Sequence, residues 1–191
     1  MKFTKIPENT FQTLQLNAGV LLSTFDVSSP AVVDANLLGA TSGGVTFNAA
    51  PSYIDFGEDI DNCPKNTKEL KKLDDWDVRM TGSFATMSAA LAQRMTAAAD
   101  LSGDKISPRR DLALADFKDI WFVGDYSDKN GNTNGGYIAI HMLNTLSTGG
   151  FQLQTADKEK GKFSFEFTAH FSMDAQDTVP FEIYVHAGAA E

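Results

Sequence analysis

The stretch FSFEFTAHF, residues 163–171, decides the fold class of this chain, because apolar and polar side chains alternate along its whole length. Successive side chains of a β-strand point to opposite faces of its sheet, so this alternation predicts a strand with one apolar and one solvated face. The apolar face is predicted to hold Phe163, Phe165, Phe167, Ala169 and Phe171. The solvated face is predicted to hold Ser164, Glu166, Thr168 and His170. An antiparallel sheet that packs on a core through one face has this pattern.

The segments on both sides of this stretch repeat the strand pattern. Toward the C-terminus, Phe181, Ile183 and Val185 alternate with polar residues, and the side chains of Phe181 and Ile183 are predicted to point into the core. On the N-terminal side, strands are predicted at 117–126, 137–143 and 151–155, and the turn-rich SDKNGNTNGG at 127–136 joins the first two. The chain is therefore predicted to be a mainly β domain of antiparallel strands.

Two further strands are predicted to form a hairpin with a long polar tip. The first is GVTFNAAPSYIDF (44–56), which Pro51 is expected to break or confine to a sheet edge, and the second begins at Trp76. The connection at 57–75 has acidic ends and a basic middle, which suggests contact with a complementary partner surface. Its charged residues include Glu58, Asp59, Asp61, Lys65, Lys68, Lys71, Lys72 and Asp74.

One helix is predicted between these strands and the rest of the sheet. Thr86 is expected to cap a helix that runs to about Ala99, with Met87, Leu91 and Met95 forming one apolar stripe. Such a helix can cover one face of a sheet. The first 37 residues have no clean period, and they are interpreted as an N-terminal arm with one or two short elements half committed to the core.

Composition limits the classes of function. The 191 residues suit a single domain spanning 1–191, and a net charge of -9 disfavours direct nucleic-acid binding, since phosphate contacts need lysine and arginine. The one cysteine, Cys63, cannot form an internal disulfide and is interpreted as incidental. The start MKFTKIPENT has no apolar core of a signal peptide, and no apolar run is long enough for a membrane span. We expect a protein made in a cytosolic compartment.

No pattern typical of a catalytic or metal site is found. The three histidines, His141, His170 and His186, each fall in a predicted strand and lack the spacing of a zinc site. Two segments have spacings similar to calcium loops but lack the required glycine, and they are interpreted as turns. These segments contain Asp100, Ser102 and Asp104, and Asp128, Asn130 and Asn132. We expect a protein that is not an enzyme and has no cofactor.

Several stretches, in order, resemble the tail tube (major tail) proteins of long-tailed bacteriophages. The resemblance covers roughly residues 38–186, and its motifs are fold signatures rather than chemical ones. The stretches are ATSGGVTF (40–47), DVRMTGSFATMSAALAQRM (77–95), DIWFVGDYSD (119–128), GYIAIHMLNTLSTGGFQLQTADKEKGKFSFEFTAHFS (136–172) and PFEIYV (180–185).

The resemblance implies a β-sandwich or barrel with one flanking helix. It also implies a structural virion protein, in which six copies close a ring and rings stack into the tube through which DNA is ejected. Its partners would be further copies of itself and the tail terminator, tape measure and distal tail proteins, with assembly in the cytoplasm of the bacterial host. The tip at 57–75 would contact the next ring. On the polar faces of the closing strands, the candidates for the lumen wall are Ser164, Glu166, Thr168 and Glu182, past which DNA would move without specific binding. The alternative is that the two glutamates face solvent outside the tube.

Two alternative functions remain open at this point. A tail-completion subunit or the tube subunit of a bacterial injection system would share the same fold. A monomeric β-sandwich that binds carbohydrate would instead expose an aromatic platform, for which Trp76 and Trp121 are the candidates. Both tryptophans lie in alternating strand patterns that predict core positions, which disfavours the carbohydrate-binding alternative.

Overall fold

The protein is mainly β, with antiparallel strands and a single α-helix in the part of the chain that the structure describes. The computed structural model describes residues 5–7, 10, 14–126 and 135–187. The strands are β1 (Gln15–Leu22), β2 (Leu37–Gly39), β3 (Thr41–Asp55), β4 (Lys71–Phe84), β5 (Ala99–Ser102), β6 (Lys105–Pro108), β7 (Lys118–Tyr126), β8 (Tyr137–Ser147), β9 (Phe163–Thr168) and β10 (Phe181–His186). The helix, α1, is Ala89–Thr96. The predicted mainly β fold with one helix is confirmed.

One antiparallel sheet contains all these strands except the small β5–β6 pair. Its order is β2-β1-β7-β8-β9-β4-β3, and β10 also pairs with β8. The residues of β8 from Tyr137 to Met142 lie between β7 and β10, whereas Leu146 and Ser147 pair with β9. The backbone of Asn144 has a φ of 50°, a left-handed conformation that asparagine tolerates well, just where β8 changes partner. The sheet therefore divides at β8 into layer A (β1, β2, β7, β8, β10) and layer B (β3, β4, β9).

The main core lies between the two layers and is closed by the helix. Its buried residues come from β1, β7 and β8 of layer A, from β4 and β9 of layer B, and from α1. They include Leu21, Ile120, Met142, Val78, Met80, Phe84, Phe165, Phe167, Leu91 and Met95. Phe165 and Phe167 thus point inward as predicted. Ala169, just beyond the end of β9, is buried as well, whereas Phe171 is 43% exposed and does not point into the core.

The helix begins later than predicted and ends at Thr96 instead of near Ala99, which starts β5, and another residue caps it. The hydroxyl of Ser88 accepts a hydrogen bond from the Leu91 amide at 3.1 Å, while the Thr86 hydroxyl accepts one from the Ala40 amide at 2.9 Å. The expected cap at Thr86 is therefore wrong. The apolar stripe of Leu91 and Met95 is confirmed as buried. On the same helix, Arg94 donates to the Lys118 carbonyl at 3.0 Å, and burial lowers the pKa of Arg94 to about 10.

The predicted hairpin is confirmed with a shorter connection. Strands β3 and β4 pair from Thr41–Phe84 to Asp55–Lys71, so the last five residues of the expected tip, 71–75, belong to β4. Pro51 lies within β3 opposite Trp76. A proline is tolerated there because β3 is an edge strand of the sheet and one side of it needs no donor.

The N-terminal arm contains strand β1, a short element of the kind expected there, which lies between β2 and β7 with Leu21 and Leu22 fully buried. Two other expectations need correction. The strand expected at 151–155 is absent, and only a single bridge joins Gln154 to Lys162 there. Ile183 and Val185 of β10 are 50% and 57% exposed, because the opposite layer does not cover this part of the strand.

Some of the sequence-based predictions fall on residues outside the described part. These residues are 1–4, 8–9 and 11–13 of the expected arm and 127–134 of the turn-rich segment, which include the calcium-loop candidates Asp128, Asn130 and Asn132. Within the described ranges, no helix combines the length and the apolar character needed to cross a membrane.

Candidate functional site

The far end of the β3–β4 hairpin projects beyond the rest of layer B. Strand β4 pairs with β9 from Arg79 to Phe84, whereas from Lys71 to Asp77 the one strand of the described chain that pairs with it is β3. Residues 51–76 thus form a two-stranded ribbon with a loop at its end, named the hairpin arm below. A ribbon of this kind is marginally stable in water unless other groups pack on it.

Hydrogen bonds of its own close the loop of the hairpin arm. The Phe56 amide donates to the Leu70 carbonyl at 3.1 Å. The carboxylate of Asp55 accepts from the amides of Gly57 and Asn66, each at 2.9 Å. These bonds lower the pKa of Asp55 because they favour its charged form, and the bond from Gly57 has the largest effect. Asp55 therefore ties two points of the loop, at Gly57 and Asn66, to the end of β3.

All the predicted charged residues of the tip lie on the hairpin arm and are exposed. Glu58, Asp59, Asp61, Lys65 and Lys68 are in the loop, and Lys71, Lys72 and Asp74 are in β4. Few of these charges are neutralised locally. Lys68 pairs with Glu69 at 3.4 Å, and the Lys71 ammonium lies 3.5 Å from the Asn66 side-chain oxygen. The arm thus presents charges of both signs to a partner.

The hairpin arm also carries exposed apolar side chains, which the sequence analysis missed. They are Tyr53 (55% exposed), Ile54 (41%), Phe56 (56%), Ile60 (50%) and Leu73 (50%). Tyr53 lies directly opposite Leu73, and Ile54 lies opposite Lys72, so both faces of the ribbon are apolar in part. The run YIDF at 53–56, apolar at three of its four positions, was the signal available in the sequence.

Three of the four predicted lumen residues share one surface, the outer face of layer B. Residues opposite each other in antiparallel strands point to the same side of a sheet. Ser164 lies opposite Ser83, Glu166 opposite Thr81, and Thr168 opposite Arg79. The Thr148 hydroxyl donates to Glu166 at 2.9 Å and lies 2.8 Å from the Thr168 hydroxyl. We name this surface the hydroxyl face; its members are Thr46, Asn48, Asp77, Arg79, Thr81, Ser83, Thr148, Ser164, Glu166 and Thr168.

The fourth predicted lumen residue, Glu182, lies on the opposite side of the molecule. It pairs with His141 on the outer face of layer A, and its carboxylate lies 3.6 Å from His141 Nδ1. Its carboxylate also accepts a hydrogen bond from the Tyr184 hydroxyl, which raises the pKa of that tyrosine. The structure therefore does not bring Glu182 together with Glu166, because the core separates their layers.

The outer face of layer A is aromatic and largely covered. Trp121 is 8% exposed and belongs to a second cluster of buried residues, against which Phe25 and Val27 pack. Trp76 belongs to β4 of layer B and is half-buried against the main core, with its ring centroid 5.3 Å from that of Phe181. Neither tryptophan forms the exposed platform that a carbohydrate-binding module needs.

The histidines have separate environments. His141 lies in β8, with Nε2 3.0 Å from an Asp119 carboxylate oxygen, and His186 lies in β10 against Tyr137. His170 follows the end of β9, so its predicted place in a strand is wrong; its Nδ1 lies 3.2 Å from the Asn144 carbonyl oxygen. The described residues contain no group of three or more histidine, cysteine or acidic side chains arranged to hold a metal ion.

Comparisons with known proteins add no assignment. No protein-family model matches the chain, and no curated protein matches it. The candidate surfaces are therefore the hairpin arm and the hydroxyl face, as defined by their geometry.

Proposed function

We propose that this chain is a structural subunit of a phage tail tube, without enzymatic activity, that assembles into stacked rings through which DNA is ejected. The observation that carries the proposal is the hairpin arm, which projects from the domain and exposes large apolar side chains on both faces. Exposed apolar clusters on a projecting element are typical of surfaces that a protein partner covers.

A second copy of the chain is the partner that fits an assembling tube. When the arm of one subunit docks on a different surface of the next, the contact is heterologous, and heterologous contacts generate rings or filaments. The open edges of β3 and β10 and the exposed Ile183 and Val185 leave further surface for such contacts. Burying these groups in an obligate assembly also removes exposed strand edges, which otherwise favour aggregation.

The hydroxyl face is the surface of the subunit best suited to line the lumen. Its side chains are short hydroxyls and an amide, with one cation and two carboxylates, and lysine is absent from its members. A face of this composition stays hydrated and gives the DNA backbone little to bind. A wall formed by layer B includes Ser164, Glu166 and Thr168 but leaves Glu182 outside the lumen.

The remaining parts of the proposal follow from the resemblance. The rings would be hexameric, and the tube would end on tail terminator and distal tail proteins and enclose a tape measure protein. Assembly would take place in the cytoplasm of the bacterial host, and the mature location would be the virion.

Negative-stain electron microscopy of the purified chain tests the proposal. Wild-type protein should form rings or tubes. A variant in which residues 58–69 are replaced by a short glycine-serine linker should fold but form no tubes, whereas the same replacement of the charged turn at 157–161 should leave tubes intact. Wild-type protein that remains monomeric at high concentration contradicts the proposal. Single rings that never stack would instead favour a tail-completion subunit.

A further inference from the structure

Arg79 is the only cation among the members of the hydroxyl face, and two carboxylates hold it. Its Nε lies 2.6 Å from Asp77 Oδ1, and its Nη1 lies 3.7 Å from Glu166 Oε1. Asp77 and Arg79 are two residues apart on β4, so their side chains point to the same side of the sheet. Glu166 reaches Arg79 from the neighbouring strand β9.

The surroundings of Glu166 hold that carboxylate in place. Its Oε1 accepts the hydrogen bond from the Thr148 hydroxyl, and Thr148 in turn contacts the Thr168 hydroxyl opposite Arg79. The guanidinium therefore forms a hydrogen bond within β4 and lies beside a carboxylate of β9 that a loop residue holds. Half of the Arg79 side chain nevertheless remains accessible, at 47%.

An accessible arginine is the side chain best shaped to bind a phosphate, because its planar guanidinium donates two parallel hydrogen bonds to phosphate oxygens. In a ring, the same arginine recurs once in each subunit, and it recurs again in every stacked ring. Without compensation, such an array would bind a passing polyanion through many weak contacts at once.

We propose that Asp77 and Glu166 form ion pairs with the guanidinium of Arg79 that compete with phosphate. A nucleic-acid backbone can then slide past the hydroxyl face without being held. This inference rests on the proposed function, in which the hydroxyl face lines the lumen. The two carboxylates outnumber the one cation, so the face as a whole repels phosphate.

The test uses assembled tubes, sonicated to short lengths so that their ends are open, and a short fluorescent single-stranded DNA. Retention of the probe is measured by co-sedimentation. Wild-type tubes should retain little probe, and tubes of the D77N/E166Q variant should retain much more. The matched control is D77N/E166Q/R79Q, which differs only at Arg79 and should behave as wild type.

The salt dependence of probe retention shows whether contacts between arginine and phosphate hold the probe. For single-stranded DNA, the logarithm of the affinity falls linearly with the logarithm of the salt concentration, with a slope of about −0.7 for each neutralised phosphate. A probe that contacts about three arginines should therefore lose roughly twentyfold in affinity between about 50 and 200 mM salt. Retention by D77N/E166Q equal to that of wild type overturns the inference, as does retention that persists in the triple variant. Failure of D77N/E166Q to assemble when wild type does assemble also overturns it, because the face would then be a subunit contact. Failure of wild-type protein to form rings or tubes is a separate observation that overturns the proposed function as well.

Discussion

The imidazole of His141 stacks on the indole of Trp121, with ring centroids 3.9 Å apart and an angle of 9° between the planes. These residues lie opposite each other on β8 and β7, and the carboxylates of Asp119 and Glu182 flank the imidazole from β7 and β10. The stack therefore joins β7 and β8, and the Glu182 carboxylate links β10 to them. Because β8 is the one strand that pairs with β10 among the described residues, side-chain contacts of this kind help to hold β10 on the sheet.

Replacing Trp121 with alanine should destabilise the fold by about 3–5 kcal/mol, since the buried indole leaves a cavity that its neighbours fill only in part. The free energy of unfolding is measured by urea denaturation followed by circular dichroism, under conditions in which the protein is monomeric. The control is Phe171→Ala, a partly exposed aromatic residue, for which a change within about 1 kcal/mol is expected. Equal losses for the two variants would contradict the burial of Trp121.

Ser88→Ala should destabilise helix α1 by about 1 kcal/mol, because it removes the hydroxyl that accepts from the Leu91 amide. Hydrogen exchange measured by NMR should show faster exchange of the Leu91 amide in this variant. Thr86→Ala is the matched control, and it should speed exchange at Ala40 instead. Unchanged exchange of the Leu91 amide in the Ser88 variant would contradict the assignment of the cap to Ser88.

Replacing two apolar residues of the hairpin arm with serine, Tyr53→Ser together with Leu73→Ser, should abolish assembly and leave the monomer folded. Both side chains are at least half exposed in the single chain, so their loss removes little from its core. Sedimentation velocity and negative-stain images report assembly, and circular dichroism reports folding. The control pair is Phe151→Ser with Leu153→Ser, which is similarly exposed but lies outside the arm. The role of the arm in assembly is disproved if both pairs assemble to the same extent.

Acid should open the loop of the hairpin arm. The pKa of Asp55 is lowered in the folded chain, so its contribution is present above the ordinary aspartate pKa of about 3.9 and is lost as pH falls through the folded value. NMR spectra recorded as the pH is lowered should show the Gly57 and Asn66 amides shifting together with the Asp55 carboxyl. In Asp55→Asn these shifts should disappear, whereas in Asp59→Asn they should remain. Unchanged amide shifts in wild-type protein would mean that the two hydrogen bonds do not form.

The alternation of apolar and polar residues predicted most strands, because successive side chains of a strand point to opposite faces of its sheet. The alternation at 163–168 and the two halves of the β3–β4 hairpin are examples, and both are observed. Boundaries were less predictable. The alternation at 151–155 forms no strand, since among the described residues it pairs through one bridge, Gln154 to Lys162, and not through a ladder of hydrogen bonds. Thr86 and Ser88 are both good caps by type, and only the path of the chain past Ala40 assigns Thr86 to another partner.

The candidate surfaces were predictable in part for a related reason. The charges of the hairpin tip and the polar side of β9 are visible in the sequence, whereas exposure of Tyr53 and Leu73 depends on where β9 stops pairing with β4. The pairing of Arg79 with Glu166 could not be foreseen, because the two residues are far apart in the chain and meet only through strand register.

By itself, the sequence determined that the chain is mainly β, that Phe165 and Phe167 face a core, and that Ser164, Glu166 and Thr168 face away from it. Only the tertiary structure decided that Glu166 and Glu182 lie on opposite sides of the molecule. Alternation specifies on which side of its own strand a residue lies. The layer to which that strand belongs is set by the change of partner along β8, where hydrogen bonds to β10 give way to hydrogen bonds to β9.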